Sequence, residues 1–289
     1  MRECVACRAG EPAPFYGGLL RCTNCRHVWA GVDIRDDELR ELYRRNYFFG
    51  EEYTDYVADR AALEKNFARR FATLRRFLDR ARHRRLFEIG CAYGFFLNAV
   101  RSEFDTVEGI DISDDAIRHA RETLGLRVRL GDLLDQDFDG RQYDVVCLWD
   151  TVEHLEAPDV YIDAIAGRMP AGSVIAITTG DIASVNARLK RERWRLIHPP
   201  THLHYFSRDT MRRMLDRLGF DLVYARHCGF YRTIGSMLDG VSRAQNGLKR
   251  TTRWIQQTPI ARWPLYLNLY DILYAIAVKR SPGGPCADS

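Results

Sequence analysis

No stretch of the 289-residue sequence approaches the roughly 18 consecutive apolar residues that a membrane-crossing helix needs, although 46% of the residues are hydrophobic. The apolar content is therefore expected to go into a globular interior, enough for one full-sized core and a small appendage. Lysine is scarce: Lys65, Lys190, Lys249 and Lys279 are the four among 43 basic residues. Arginine carries nearly all the positive charge, but the net value of +4 is mild and by itself points to no polyanionic partner. No hydrophobic leader precedes the first cysteine, so a reducing, cytoplasmic setting is expected, where clustered thiols suggest metal rather than disulfides. Also missing is the Gly-x-Gly-x-x-Gly triple with which a dinucleotide site cradles pyrophosphate.

Four of the eight cysteines fall in the first 25 residues, as Cys4-x-x-Cys7, fourteen intervening residues, and Cys22-x-x-Cys25. Each pair can form a knuckle presenting two thiolates, and two knuckles complete a tetrahedral zinc site. Four protein ligands leave no open position, so this zinc is expected to be structural and to supply the folding energy of a segment with almost no core. His27, two residues past Cys25, reads as a bystander. Residues 1–32 are thus expected to be a zinc ribbon.

Residues 33–83 read as a helical linker or lid. It holds a cluster of Tyr43, Tyr47, Phe48, Phe49, Tyr53 and Tyr56, then a long amphipathic helix over 57–82. Phe67, Phe71, Leu74 and Leu78 recur at helical spacing, and Arg69, Arg70, Arg75 and Arg76 are assigned to the solvated side.

From residue 84 strand and helix alternate, which predicts an α/β domain with a doubly wound, mostly parallel sheet over 84–280. The expected strands are Leu86–Ile89, Thr106–Asp111, Arg127–Leu130, Tyr143–Trp149 and Ser173–Thr178. A capped helix over Ser207–Leu218, a strand over Phe220–Arg226 and a closing strand over Tyr270–Lys279 follow. Residues 232–268 are expected to be a helical insertion, and 281–289 a disordered tail.

The first of these strands runs into Glu88-Ile-Gly90-Cys91-Ala92-Tyr93-Gly94. Gly90 and Gly94 allow a sharp turn and close approach of a ligand, but the acid at Glu88 would repel a phosphate. Asp111 and Asp132 end later strands and can accept hydrogen bonds from a ribose diol and an exocyclic amine. A ligand combining adenosine with positive charge suits this acidic rim.

With these residues the chain resembles the class I S-adenosylmethionine-dependent methyltransferases. The matching segments are the glycine turn Glu88–Gly94, Asp111, Gly131-Asp132-Leu133, and Tyr143–Asp150 followed by Glu153-His154-Leu155. The resemblance implies a seven-stranded Rossmann-like sheet ending in an antiparallel pair. It also implies a methyl-donor site at Glu88, Gly90, Cys91, Ala92, Gly94, Asp111, Ile112, Asp132, Leu133, Trp149 and Asp150. More narrowly, cysteine knuckles ahead of such a domain and Thr201-His202-Leu203-His204-Tyr205-Phe206-Ser207 after it look like zinc-containing small-molecule methyltransferases, sugar-modifying ones among them.

Methyl transfer to a hydroxyl or carbon acid requires removal of a proton, for which histidine is suited at neutral pH. The candidates are His154, His202 and His204. Asp150, Glu153 and His154 also form an Asp-x-x-Glu-His array able to hold a divalent ion, though the sequence names no independent further ligand. The expected partner is a small-molecule acceptor, sugar-like or a secondary metabolite. An RNA methyltransferase using the ribbon to hold nucleic acid is the alternative, but Arg2, Arg8, Arg21 and Arg26 are set against Glu3 and Glu11 there. The segment with Trp254, Trp263, Leu265 and Leu267 is expected to roof the acceptor pocket or pack a dimer, with membrane-surface contact as the alternative.

Overall fold

The computed structural model describes residues 3–32, 59–238 and 258–281. The aromatic cluster 43–56, the part of the insertion that holds Trp254 and the tail beyond 281 lie outside the described residues.

The first described segment has three short strands, β1 (Pro12–Pro14), β2 (Leu19–Cys22) and β3 (Val28–Ala30). Helix α1 (Arg60–Leu74) and a 3-10 turn over Arg75–Phe77 come next. The helix expected to reach 82 stops there because Asp79 folds back, its carboxylate accepting from the main-chain N–H of Ala81 at 2.9 Å. Such a local turn competes with helix continuation.

The main sheet contains β4 (Arg85–Ile89), β5 (Thr106–Asp111), β6 (Arg127–Leu130), β7 (Val145–Trp149), β8 (Val174–Gly180), β10 (Phe220–Thr233) and β11 (Pro264–Lys279). Its order is β10-β11-β8-β7-β4-β5-β6. The five from β4 to β8 run parallel, and β11 is antiparallel to both β8 and β10. Helices α2 (Phe95–Val100), α3 (Asp114–Glu122), α4 (Pro158–Ala166), α5 (Val185–Lys190) and α6 (Arg208–Arg217) lie between strands.

The central strands β7 and β8 are apolar along nearly their whole length because both faces are covered. Along β7, Val145, Cys147 and Trp149 enter one core with Phe67 and Phe96, while Val146 and Leu148 enter the other with Met211 and Phe220. Along β8, Val174 and Ala176 alternate with Ile175 and Ile177 in the same sense. A one-residue slip would exchange the two sets, so the register is strongly fixed.

Two expectations are corrected here. The last strand begins at Pro264, not Tyr270, and its partner continues to Thr233 instead of ending at Arg226. Residues 232–233 and 264–268 of the expected helical insertion are therefore strand, with a helical stretch over 234–238. Main-chain pairing along a long hairpin overrides the weak local helical pattern.

The second correction concerns the ribbon, which is not a free appendage. A further strand, β9 (His204–Tyr205), joins its sheet, giving the order β1-β2-β3-β9. Leu19, Val28 and Ala30 share a core with Trp194, Leu203, Tyr205 and Ile272. Arg8 and Arg217 both pair with buried Asp159, at 2.5 and 2.8 Å. Among the described residues, no helix is long and apolar enough to cross a membrane.

Candidate active site

The parallel strands deliver their carboxyl ends to one edge, where open α/β sheets place ligands. Strand β4 ends at Glu88-Ile89, and Gly90 (φ 74°), Ala92 (φ 46°) and Gly94 (φ 77°) turn the chain into α2. The N–H groups of Gly90 and Cys91 both donate to the Ile110 carbonyl, at 2.9 and 3.0 Å, which ties this turn to β5. Ala92 holds a left-handed conformation that glycine adopts at lower cost. Its N–H donates to Asp111 Oδ2 at 2.8 Å, and Ser113 N–H donates to Oδ1 at 2.9 Å.

Glu88 is 2% exposed, and its Oε2 has no hydrogen-bond partner among the described residues. Burial, reinforced by the charge of Asp111 and opposed by Arg70, holds its carboxyl well above the usual range. Asp111 is also pushed up by burial, against the lowering effect of the main-chain donors. Two buried acids at adjacent strand ends, one with an unsatisfied oxygen, form a site that a cation would complete.

Asp132 caps the turn over Leu133–Asp135 through Leu134 N–H at 2.8 Å and accepts from the Tyr161 hydroxyl. Leu133 points into the core, while Ile112, beyond Asp111, is 41% exposed. At the end of β7, Trp149 packs edge-on against Phe96, and its buried indole N–H has no partner among the described residues. Asp150 follows with φ 52°. Its N–H and Oδ1 both bond Thr178, and its Oδ2 accepts from Arg70 Nη2 at 2.6 Å.

Arg70 was not expected in the site. Its side chain is 11% exposed and its guanidinium lies 5.6 Å from the Trp149 ring centre. The signal was present in the spacing: Arg70 lies three residues after Phe67 and four before Leu74, on the buried face of α1.

A cleft beside Trp149 and Asp150 is lined by Arg70, Glu153, Arg195, His202, Tyr231 and Arg232 among others. Asp271, fully buried, anchors one wall by accepting from Trp194 Nε1 and Arg195 Nη2. The Glu153 carbonyl accepts from Leu203 and His204 N–H at 2.8 and 3.0 Å, which pins the loop after β7 to the loop before β9. The rings of His154 and His202 thereby meet edge to face, 4.6 Å between centres. Burial pushes the Glu153 carboxyl up to about 8, with His202 opposing and Asp150 reinforcing.

His204 is not brought to this cleft, and the candidate catalytic set loses it. Its Nε2 bonds the Glu156 carbonyl and its Nδ1 faces His27 Nε2, both at 3.1 Å. Because a carbonyl only accepts, His204 Nε2 carries a proton. Burial, followed by His204, holds His27 well below its ordinary range. This pair of rings joins the ribbon to the main domain.

In the ribbon, Cys4 and Cys25 Sγ lie 3.5 Å apart, and Cys7 and Cys22 Sγ 3.7 Å apart. Thiolates on a tetrahedral ion with bonds near 2.3 Å stand about 3.8 Å apart, so the donor set fits one. His27 faces away toward His204, as a bystander.

A methyltransferase-domain family model matches residues 60–225, more than half of the chain. The chain belongs to the class I S-adenosylmethionine-dependent methyltransferases. No curated protein matches it in sequence. Among solved structures it is similar to magnesium protoporphyrin IX methyltransferase from Synechocystis with bound S-adenosylhomocysteine, at 14% identity and TM-score 0.54, covering 86% of this chain and all of that one. A putative methyltransferase from Bacillus halodurans gives 13% identity and TM-score 0.52, covering 75% of this chain and all of that one. The cyclase SpnF gives 15% identity and TM-score 0.51, covering 76% of this chain and 80% of that one. At these identities the likeness is one of fold, and function has to be argued from the site.

Proposed function

We propose that the protein transfers a methyl group from S-adenosylmethionine to a hydroxyl or carbon of a small molecule, sugar-like or a secondary metabolite, with histidine assistance. The observation that carries this reading is the junction at Trp149–Asp150. A donor-type acidic rim meets there a cleft that holds the buried Glu153–His154–His202 cluster. Bound donor supplies an electrophilic methyl carried on a sulfonium. Glu88 is suited to the donor's ammonium group, Asp111 to its ribose, and the Gly90–Gly94 turn lets the main chain approach closely. The exposed Ile112 and the Asp132–Leu133 turn are suited to the adenine. On the acceptor side, Arg70 and Thr178 hold Asp150, while Glu153 and His202 face the cleft where a proton must leave. The main contribution is orientation of acceptor against donor, with proton removal adding about 10²–10⁴ in rate. The solved relative that methylates magnesium protoporphyrin IX also acts on a small molecule. We assign zinc to the four ribbon cysteines on the fit of their spacing.

Calorimetry with S-adenosylhomocysteine tests the donor half. The native chain is expected to bind it, and absence of binding would remove the methyltransferase reading. Binding an ammonium lowers the raised pKa of Glu88, so a proton is expelled wherever pH lies between the bound and free values. Affinity should be greatest above the free-state value and fall by about tenfold per pH unit below it. Measurements in buffers of different ionisation enthalpy should show the released proton. Glu88→Gln should flatten this part of the profile; an unchanged profile would take Glu88 out of the donor site.

The acceptor half predicts that His202→Ala lowers turnover by about 10²–10⁴ while S-adenosylhomocysteine affinity stays within a few-fold. Acceptors for the assay come from a screen with labelled donor, and full turnover in the variant would remove His202 from the chemistry.

A further inference from the structure

Each imidazole of the Glu153–His154–His202 cluster places Nδ1 on a main-chain carbonyl, His154 on Thr201 at 2.7 Å and His202 on Leu196 at 2.9 Å. Since a carbonyl only accepts, each ring carries a proton on Nδ1, which makes Nε2 the nitrogen able to ligate an ion. Metal-ligating histidines are held in this way, by a carbonyl or carboxylate on the other ring nitrogen. The Glu153 carboxylate, 4% exposed, has an oxygen with no hydrogen-bond partner among the described residues. One ligand atom from each of the three residues lies within 4.8 Å of the others. On an ion with bonds of about 2.1 Å, tetrahedral donors stand about 3.4 Å apart, so closure needs inward movement of roughly 1 Å by short side-chain rotations. Asp150, which the sequence pattern groups with Glu153 and His154, is engaged by Thr178 and Arg70. The independent ligand that the sequence does not name is His202.

We propose that Glu153, His154 and His202 form a second metal site, a two-histidine, one-carboxylate triad for a divalent ion such as Zn2+ or Fe2+, opening on the acceptor cleft. The mixed nitrogen and oxygen donors select such ions over Mg2+ and Ca2+. Glu153 and His202 line the cleft, so remaining coordination positions face the acceptor. An ion there would polarise an acceptor oxygen, and His202 would then assist proton loss as a ligand of that ion instead of as a free base. That use rests on the acceptor-site reading above; the metal site itself stands on the donor geometry.

The full chain, loaded with Zn2+ and freed of excess by gel filtration, is expected to hold two ions. Glu153→Gln and His202→Gln should each hold one. One ion in the native chain, or two retained in both cleft variants, would overturn the proposal. Binding of S-adenosylhomocysteine by the variants shows that they are folded; loss of that binding from the native chain would instead overturn the methyl-transfer reading. If a cleft variant does not fold, Co2+ titration of the native chain decides. One equivalent should develop thiolate charge-transfer absorbance and the other only ligand-field bands. A second equivalent that gives no new bands, or more thiolate charge transfer, would overturn the site.

Discussion

Gly90→Ala is expected to weaken S-adenosylhomocysteine binding more than a hundredfold and to lower unfolding free energy by about 2–4 kcal/mol. Two separate costs combine. At φ 74° a side chain is strained by about 1–2 kcal/mol whatever the space around it. In addition, a Cβ at this position would lie 2.5 Å from Thr151 Oγ1 and 2.6 Å from its Cγ2. Thr151 is β-branched and stiff, and its hydroxyl donates to the Trp149 carbonyl at 3.1 Å. Displacing it would disturb the Trp149–Asp150 turn, where donor and acceptor sites meet. Gly125→Ala supplies the comparison, because Gly125 has φ 64° with nothing among the described residues within 4 Å of its Cβ position. It should show the conformational cost alone and leave donor binding intact. Equal effects of the two substitutions, measured by calorimetry and denaturant unfolding, would show that the Thr151 contact contributes nothing.

Replacing both Cys4 and Cys7 by serine should abolish acceptor methylation while leaving S-adenosylhomocysteine affinity within a few-fold. A structural zinc site of this kind contributes about 10–16 kcal/mol in isolated peptides, so its loss unfolds a segment with little core of its own. Here the damage would not stop at the ribbon. Strand β3 pairs with β9, Ala30 N–H donates to the Leu203 carbonyl at 2.9 Å, and His27 bonds His204. These contacts hold the loop that delivers His202 to the cleft. The donor rim, by contrast, is built on β4, β5 and β7 and does not use them. Retained acceptor turnover in a variant shown by elemental analysis to have lost the ribbon metal would refute this coupling.

The parts legible in sequence are those set by local pattern. Strands β5 and β6 have the expected bounds because Asp111 and Gly131-Asp132 mark their ends. The glycine turn is legible because few residues other than glycine hold positive φ cheaply, and the acids at strand ends because topology places them. Arg70 and His204 were misplaced for opposite reasons. Arginine is so often solvated that its position on the buried face of α1 was outweighed, although the helical spacing already contained the answer. His204 sits two residues from His202, and a strand that short carries no period by which to tell a cleft ligand from a bridge to the ribbon. The long hairpin of β10 and β11 escaped because its outer half is stabilised by cross-strand pairing and not by a buried face: Leu265 is 45% and Tyr270 65% exposed.

The pairing of β3 with β9 also bears on the order of synthesis. The four cysteines leave the ribosome before the main sheet, yet the sheet that they belong to takes its last strand from residues 204–205, and His27 meets a partner 177 positions later. Their segment is therefore completed only after the five parallel strands of the main sheet have been made.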